Sequence, residues 1–572
     1  MIQIREEKPE KLLKYGAIFG IAFCSILLLP QSRILLLKFI DNLLRQNLDI
    51  DFWMESMLSY SLSAIFIFCC ILVIPIKNIK SFFMFASIGI VAISVIVRII
   101  MYLKCPSLYL DEALLAENIV SRNWLELLVP PLNNVQSAPV LYVIAVKSIC
   151  EIFGYSELSL RFFSLFAFVS LLICETVFMK KVFNFSNHKI AFVVVMSVLF
   201  PSYIWYSNEL KPYMGDALFA VLTVLLHFYY TQNKIKLPIL TALYILIFAF
   251  SSPAIFFIGG VLFSEFLIAV FNKNKKAIIS ISLSGVVILA IFGLYYYWWQ
   301  AQISEVMQIL WNGTAEENRL KQILKIFHPM TGAYGESSSL AVWFFVPFAL
   351  LGFYSSLKQK NKIVYSISLA LFFVFFASAI GKWPLRAGRL WLFLPIIVLI
   401  FTPIGYDFIK DKIQRKKLTD IVEFSFLPVI VVCSLINCVG YIGLGSKMYY
   451  RSGEINPLIH YVQENIKEDE KLYVYQGAVI AFKYKNGYGA RIGSVTRDNI
   501  IFGIDEEEWN ESVLGNELSL ILENEKTYLI FQSYFLVGID KGLAVLRNYG
   551  TLTEVMNVYD TPRYYFEKKE QK

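Results

Sequence analysis

The chain has 572 residues, 57% of them hydrophobic and only 17% charged, with a mean hydropathy of +0.58. That balance excludes an ordinary soluble protein of this size. The formal charge of +8 comes from short basic clusters between apolar runs, not from one basic face with interleaved aromatics, and this argues against nucleic acid as a partner.

In chain order, Lys8, Lys11 and Lys14 precede an apolar stretch that ends near Leu29. The stretch resembles a signal sequence without a small-x-small cleavage site, so it reads as a retained first span. Apolar runs of roughly 17 to 25 residues can cross about 30 Å of hydrocarbon. They place spans near 14–30, 56–76, 80–103, 158–179, 189–206, 213–231, 236–251, 253–271, 277–298, 339–356, 363–380, 389–408 and 421–443. An isolated span in lipid must satisfy its own backbone groups, so each is expected to be a helix. Cys24, Cys69, Cys70, Cys174, Cys433 and Cys438 fall inside these runs as small apolar residues, and no metal-type CxxC spacing exists.

Lysines at 77 and 80, 180 and 181, 234 and 236, the NKNKK run at 272–276, Lys358, Lys360 and Lys362, and the DKIQRKKL run at 411–418 all fall on one side of that pattern. With the basic N-terminus they mark the cytoplasmic face. The loops 104–157, 299–338 and 381–388 are then outside. So is the segment 444–572, where helix-like INPLIHYVQENIKEDE is followed by strand-like KLYVYQ, TYLIFQSY and LTEVMNVYD. The expectation is an α-helical multi-pass membrane protein of about thirteen spans with a small C-terminal extracytoplasmic α/β domain. Its parts are N-terminal spans over 1–79, a core over 80–443 and the outer domain over 444–572.

Polar side chains at a membrane edge cost free energy to place, so clusters of them point to function. The loop 104–157 carries LYLDEALLAENIVSRNWLELL and then a proline-containing segment. Both halves read as helices lying along the interface, with Trp124 and Tyr142 as headgroup-level anchors. Asp111 and Glu112 begin the first half. Spacing leaves two roles open: acids that cap a helix start, worth roughly 0.3–1 kcal/mol, or catalytic carboxylates.

The second cluster, YIWYSNELKPYMGDAL at 203–218, brings Glu209, Lys211 and Tyr213 to the same depth; a snorkelling lysine in an aromatic belt would look similar. In the third, GKWPLRAGRLWLF at 381–393, Arg386 and Arg389 stand three apart, on one face of a helix. Outer arginines run against the positive-inside rule and suit an anion, although lipid headgroups would also satisfy them. His328 and Glu336 lie in another outer loop, and Glu175, His227 and Glu265 in the cytoplasmic halves of spans, where pairing between helices is expected. No GxGxxG, GxxxxGK[ST], HExxH or GxSxG motif occurs.

Four segments in order, LDEA at 110–113, QSAPVLY at 136–142, FGYSELSLR at 153–161 and LKPY at 210–213, resemble the motifs of GT-C-type membrane glycosyltransferases. The resemblance is to the family of protein O-mannosyltransferases and aminoarabinose transferases, in its bacterial branch, over roughly residues 80–410. It implies inverting transfer of a sugar from a polyprenyl-phosphate donor to a glycolipid, polysaccharide or protein acceptor at the outer face of the cytoplasmic membrane. By that likeness Asp111 is the general base, and Glu112 positions the acceptor or Asp111. Lys211, Arg386 and Arg389 hold the donor phosphate with help from Tyr213, while Gln136, Glu209 and His328 are further candidates. No obligatory metal or cofactor is implied beyond the lipid-linked sugar itself. A transporter or flippase of a lipid-linked glycan, with a cavity at mid-membrane, and a polysaccharide polymerase are the alternatives.

Overall fold

The computed structural model describes residues 76–299, 340–412 and 455–569, apart from short stretches at 105–106, 109, 134–135, 385–387, 468, 476–477, 480, 483–499, 504–517, 531–535 and 559–560. The expected spans at 14–30 and 421–443 and most of that at 56–76 lie outside the described residues, as do nearly all of the loop 299–338 with His328 and Glu336, and Arg386.

The described part opens with helix α1 (Ile76–Lys104), followed in the loop 104–157 by α2 (Leu110–Ser121), the single turn α3 (Trp124–Leu127) and α4 (Val140–Phe153). Then come α5 (Glu157–Val182), α6 (Asn187–Leu199), the short α7 (Pro201–Tyr206), α8 (Tyr213–Thr231), α9 (Leu237–Phe250), α10 (Ala254–Phe271) and α11 (Lys275–Trp298). After the undescribed loop stand α12 (Leu340–Lys358), α13 (Lys362–Ala379), a 3₁₀ turn (Gly388–Trp391) and α14 (Leu394–Lys412). Helices α5, α8, α10, α11 and α13 are each long and apolar enough to cross a membrane.

The expected run 189–206 is broken. Helix α6 ends at Leu199, Phe200 is extended, and Pro201 starts α7 as its first residue, a position where a missing N–H costs nothing. The carbonyls at the end of α6 therefore lack intrahelical partners. Arg98 of α1 supplies one: its Nη2 donates to the Val198 carbonyl at 2.7 Å, while the guanidinium lies 4.3 Å from the centre of the Phe168 ring. The segment 389–408 likewise starts as a 3₁₀ turn, and its helix begins only at Leu394. Helices α12 and α14 cross at contact distance because Gly352 and Gly405 face each other; a Cβ on Gly405 would sit 1.8 Å from the Phe348 carbonyl oxygen.

The loop 104–157 is not the pair of surface helices expected. Trp124 is 43% exposed, but Tyr142 is fully buried and packs edge-on against Phe163 of α5 at 5.0 Å, so it is a core residue and not a headgroup anchor. Helix α4 buries Val140, Val143, Val146, Lys147 and Cys150, and the Lys147 ammonium donates to the Ile119 carbonyl at 2.8 Å and to Tyr155 Oη at 3.1 Å. The reason is periodicity: the apolar stripe of α4 recurs at helical spacing and meets α5, not lipid headgroups. As expected, Glu175 and His227 pair between helices, the first with Ser197 Oγ at 3.0 Å and the second with Glu265 at 3.4 Å.

The C-terminal part contains α15 (Asn456–Asn465), α16 (Leu536–Tyr549) and a five-stranded sheet. Its strands are β1 (Lys471–Val474), β2 (Ile500–Phe502), β3 (Lys526–Ile530), β4 (Gly550–Val558) and β5 (Thr561–Lys568), in the order β2-β1-β3-β5-β4. β1 runs parallel to β2 and β3, and β5 pairs antiparallel with β3 and β4. The three expected strands are present as β1, β3 and β4. This part leans on the loop 104–157: Ser107 Oγ accepts from the backbone N–H groups of Ile455 at 3.2 Å and Asn456 at 3.1 Å.

Candidate active site

Four segments meet where α2 begins: the start of α2, the extended stretch before α4, the α7–α8 connection and the 3₁₀ turn before α14. The last three are fixed by backbone capture. The stretch 136–140 is pinned to the end of α11, since Trp299 Nε1 donates to the Ala138 carbonyl at 2.8 Å. The α7–α8 connection is gripped by α5, because Ser164 Oγ lies 2.6 Å from the Glu209 carbonyl and 3.1 Å from that of Lys211. The 3₁₀ turn is closed by Trp391 Nε1 donating to the Pro384 carbonyl at 2.9 Å, and Tyr203 Oη donates to Leu392 O at 2.9 Å.

Asp111 is the centre of what these segments bring together. It lies in the first turn of α2, which starts at Leu110, and is not a cap outside it. One carboxylate oxygen is 3.1 Å from Lys211 Nζ and 3.4 Å from Arg389 Nη1; the other accepts from Gln136 Nε2 at 3.3 Å. Gln136 closes a ring, its Oε1 accepting from Lys211 Nζ at 3.1 Å. Burial alone would raise the Asp111 carboxyl, but Lys211 and Arg389, with the hydrogen bonds from Lys211 and Gln136, bring it down to about 2. The Asp111 side chain remains 30% exposed, whereas that of Lys211 is 6% exposed. Lys211 is therefore no snorkelling surface lysine; its ammonium points inward at a carboxylate. The Arg389 guanidinium lies 5.7 Å from the centre of the Tyr213 ring, which itself meets Tyr206 edge-on at 5.2 Å. Tyr213 thus supports Arg389 through its face.

Glu112 differs from expectation. It is 2% exposed and both its oxygens are engaged by protein: Oε1 accepts from Arg161 Nε at 2.8 Å and from the Leu210 N–H at 2.7 Å, and Oε2 from Arg161 Nη2 at 2.7 Å. A carboxylate so occupied cannot touch an acceptor. Through the Leu210 N–H it ties the helix that carries Asp111 to the loop that carries Lys211, which leaves the expected role of positioning Asp111 open. The reason is the helix geometry of α2: adjacent residues point about 100° apart, so one acid turns to the opening and its neighbour into the bundle. Arg161 is the residue that sequence reasoning missed. It was visible as the last residue of FGYSELSLR, and its signal was a lone arginine at the start of an apolar span.

Glu209 is also buried, and its Oε2 has no hydrogen-bond partner among the described residues. Burial first, then the nearby Glu112 carboxylate, pushes its carboxyl up to about 8, against the pull of Lys211. Asp111, Glu112, Gln136, Glu209, Lys211, Tyr213 and Arg389 are therefore all in one place. Arg386 and His328 lie outside the described residues.

No family model matches the sequence, and no curated protein matches it. Among solved structures, the chain is similar to ArnT from Cupriavidus metallidurans in the apo state, at 11% identity and a TM-score of 0.46 over 84% of this chain and 98% of that one. It is also similar to ArnT from the same organism bound to undecaprenyl phosphate, at 9% identity and a TM-score of 0.46 over 86% and 98%.

Proposed function

We propose that this protein is an inverting GT-C-type glycosyltransferase of the cytoplasmic membrane, using a polyprenyl-phosphate sugar as donor at the outer face. The observation that carries the reading is a partly open carboxylate, Asp111, held beside a buried ammonium and a guanidinium at a membrane edge. A lipid-linked sugar transfer needs that combination: a carboxylate to take the proton of the nucleophile, and fixed cations for the charge that develops on the departing phosphate.

In this mechanism the donor phosphate docks on Lys211 and Arg389 and draws both cations off Asp111. The Asp111 carboxylate, relieved of its counter-charges, becomes a better base. An acceptor hydroxyl attacks the anomeric carbon from the face opposite the phosphate. The bond from that carbon to the phosphate oxygen breaks with its electron pair remaining on the phosphate, and the hydroxyl proton passes to Asp111. Gln136 keeps Asp111 and Lys211 in register. Glu112 and Arg161 hold the loop that carries Lys211. The two cations supply the charge stabilisation, so no metal is required. The acceptor is a glycolipid, a polysaccharide or a protein.

The test is mass analysis of cell-surface glycolipids, glycoproteins and polysaccharides from cells with and without the gene. The proposal expects one sugar modification to disappear with the gene and to return with the wild-type copy. Identical glycan profiles in both strains would overturn it.

A further inference from the structure

A buried carboxyl oxygen without a partner is rare in a folded protein, because leaving it unsatisfied costs the full desolvation penalty of the group. Among the described residues Glu209 Oε2 is such an atom, on a residue only 5% exposed. Backbone groups around it are engaged by protein: the Glu209 carbonyl takes the Ser164 hydroxyl and the Lys211 N–H, and the Leu210 N–H goes to Glu112. The loop is thus held rigidly while this one oxygen is left open. We propose that the Glu209 carboxyl donates a hydrogen bond to a phosphate oxygen of the lipid-linked donor. The inference rests on reading Lys211 and Arg389 as the phosphate clamp.

Charge explains why an acid belongs there. Among the described residues, the charged groups acting on Glu209 are Asp111 and Glu112 on α2, Lys211 beside it in the loop, and Arg389 on the 3₁₀ turn, and Glu112 is itself paired with Arg161 of α5. Three cations face two carboxylates, which leaves one positive charge if Glu209 is neutral and none if it is ionised. The neutral form leaves net positive charge among these described groups for an anionic phosphate, and the ionised form cancels it. A protonated carboxyl also has a donor O–H, which an ionised one lacks. Burial beside Glu112 holds Glu209 in that form at neutral pH. The incoming phosphate provides the acceptor that the protein does not.

The test measures binding of undecaprenyl phosphate to the full-length protein in detergent, for wild type, Glu209→Gln, Glu209→Met and Lys211→Met, from pH 7 to 9. The amide of Gln keeps a donor and cannot ionise, so at pH 7 it should bind within about twofold of wild type. Met, with no donor, should bind about tenfold more weakly, the equivalent of one hydrogen bond. Glu209 is raised in the folded protein, so its donor form is present below about 8 and lost above. Wild-type affinity should therefore fall about tenfold by pH 9, while Glu209→Gln shows no such fall. The second ionisation of the phosphate monoester, near pH 6, is common to both proteins and cancels in the comparison. Gln binding as weakly as Met, or wild type and Gln sharing one pH profile, would overturn the inference. If Glu209→Met fails to fold, the comparison of wild type with Gln still decides. Weakening by Lys211→Met without any effect at Glu209 would sink this inference alone; no effect at either residue would sink the clamp reading too.

Discussion

Glu112 and Arg161 form a two-point ion pair at the edge of the helical bundle, with Nε to Oε1 at 2.8 Å and Nη2 to Oε2 at 2.7 Å, and both side chains are 3% exposed. The pair ties α2 to α5, and through the Leu210 N–H it ties both to the loop that presents Lys211. Two parallel N–H···O bonds fix direction as well as distance, which a lysine could not do.

Breaking that pair leaves a buried charge without its partner. Arg161→Met is expected to destabilise the protein by about 3–5 kcal/mol, read by thermal unfolding in detergent. Arg161→Lys should recover part of the stability but not the geometry, because one ammonium cannot meet both oxygens. The double variant Glu112→Leu/Arg161→Leu should be more stable than Arg161→Met, since no lone charge remains.

The Asp111 ion pairs should show in stability against pH. Its carboxyl stands at about 2 in the folded protein against an ordinary value of 3.8, so the unfolded chain takes up its proton first as pH falls. The contribution is complete above about pH 5 and is lost as pH falls toward 2. Its size is about 2 kcal/mol by linkage, an order-of-magnitude figure. Asp111→Asn should lack this acid-side loss; acid unfolding curves that superimpose for the two proteins would count against the ion pairs.

Lys211 and Arg389 should be separable by the form of their defects. Lys211→Met removes a buried point charge and should weaken undecaprenyl phosphate binding about 10- to 100-fold, as loss of a charged hydrogen bond does. Arg389→Lys keeps the charge but gives up the planar guanidinium over Tyr213, and should cost less, with Tyr213→Leu producing a similar small loss. Equal, large losses for Arg389→Lys and Arg389→Gln would mean that the guanidinium shape, not its charge, dominates.

Because the cations are side chains, prolonged treatment with a chelator should leave sugar transfer unchanged. Abolition by the chelator and rescue by a divalent ion would show that the charge on the phosphate is met by metal.

Much of this architecture was legible in the residues. Apolar runs located the long apolar helices α5, α8, α10, α11 and α13, and the acids and cations between spans stood out because such groups are rarely placed at a membrane edge without use. Asp111, Lys211 and Arg389 come from segments as far apart as 278 residues, and their expected depth between spans, together with the family resemblance, grouped them in the sequence. What the sequence did not reveal depends on rotation about helix axes. Two adjacent acids look alike in a string, but in the first turn of α2 one turns toward the opening and the other toward Arg161. Tyr142 reads as an interfacial ring and is buried against Phe163 for the same reason. The break at Phe200 and Pro201 interrupts an apolar run that composition reads as continuous. Strand β2 is only three residues long, too short for alternation to register.

The central claim is that the Asp111 carboxylate removes the acceptor proton in a sugar transfer. The most direct measurement is the surface glycan profile, by mass analysis, of cells carrying Asp111→Asn at matched expression beside wild-type and gene-deleted cells. Loss of a positioned general base costs about 10²–10⁴ in rate. The Asp111→Asn cells should therefore lack the sugar modification, like the deletion, while the purified variant binds undecaprenyl phosphate at least as tightly as wild type because the competing carboxylate is gone. A wild-type glycan profile from Asp111→Asn would contradict the assignment of Asp111 as the base.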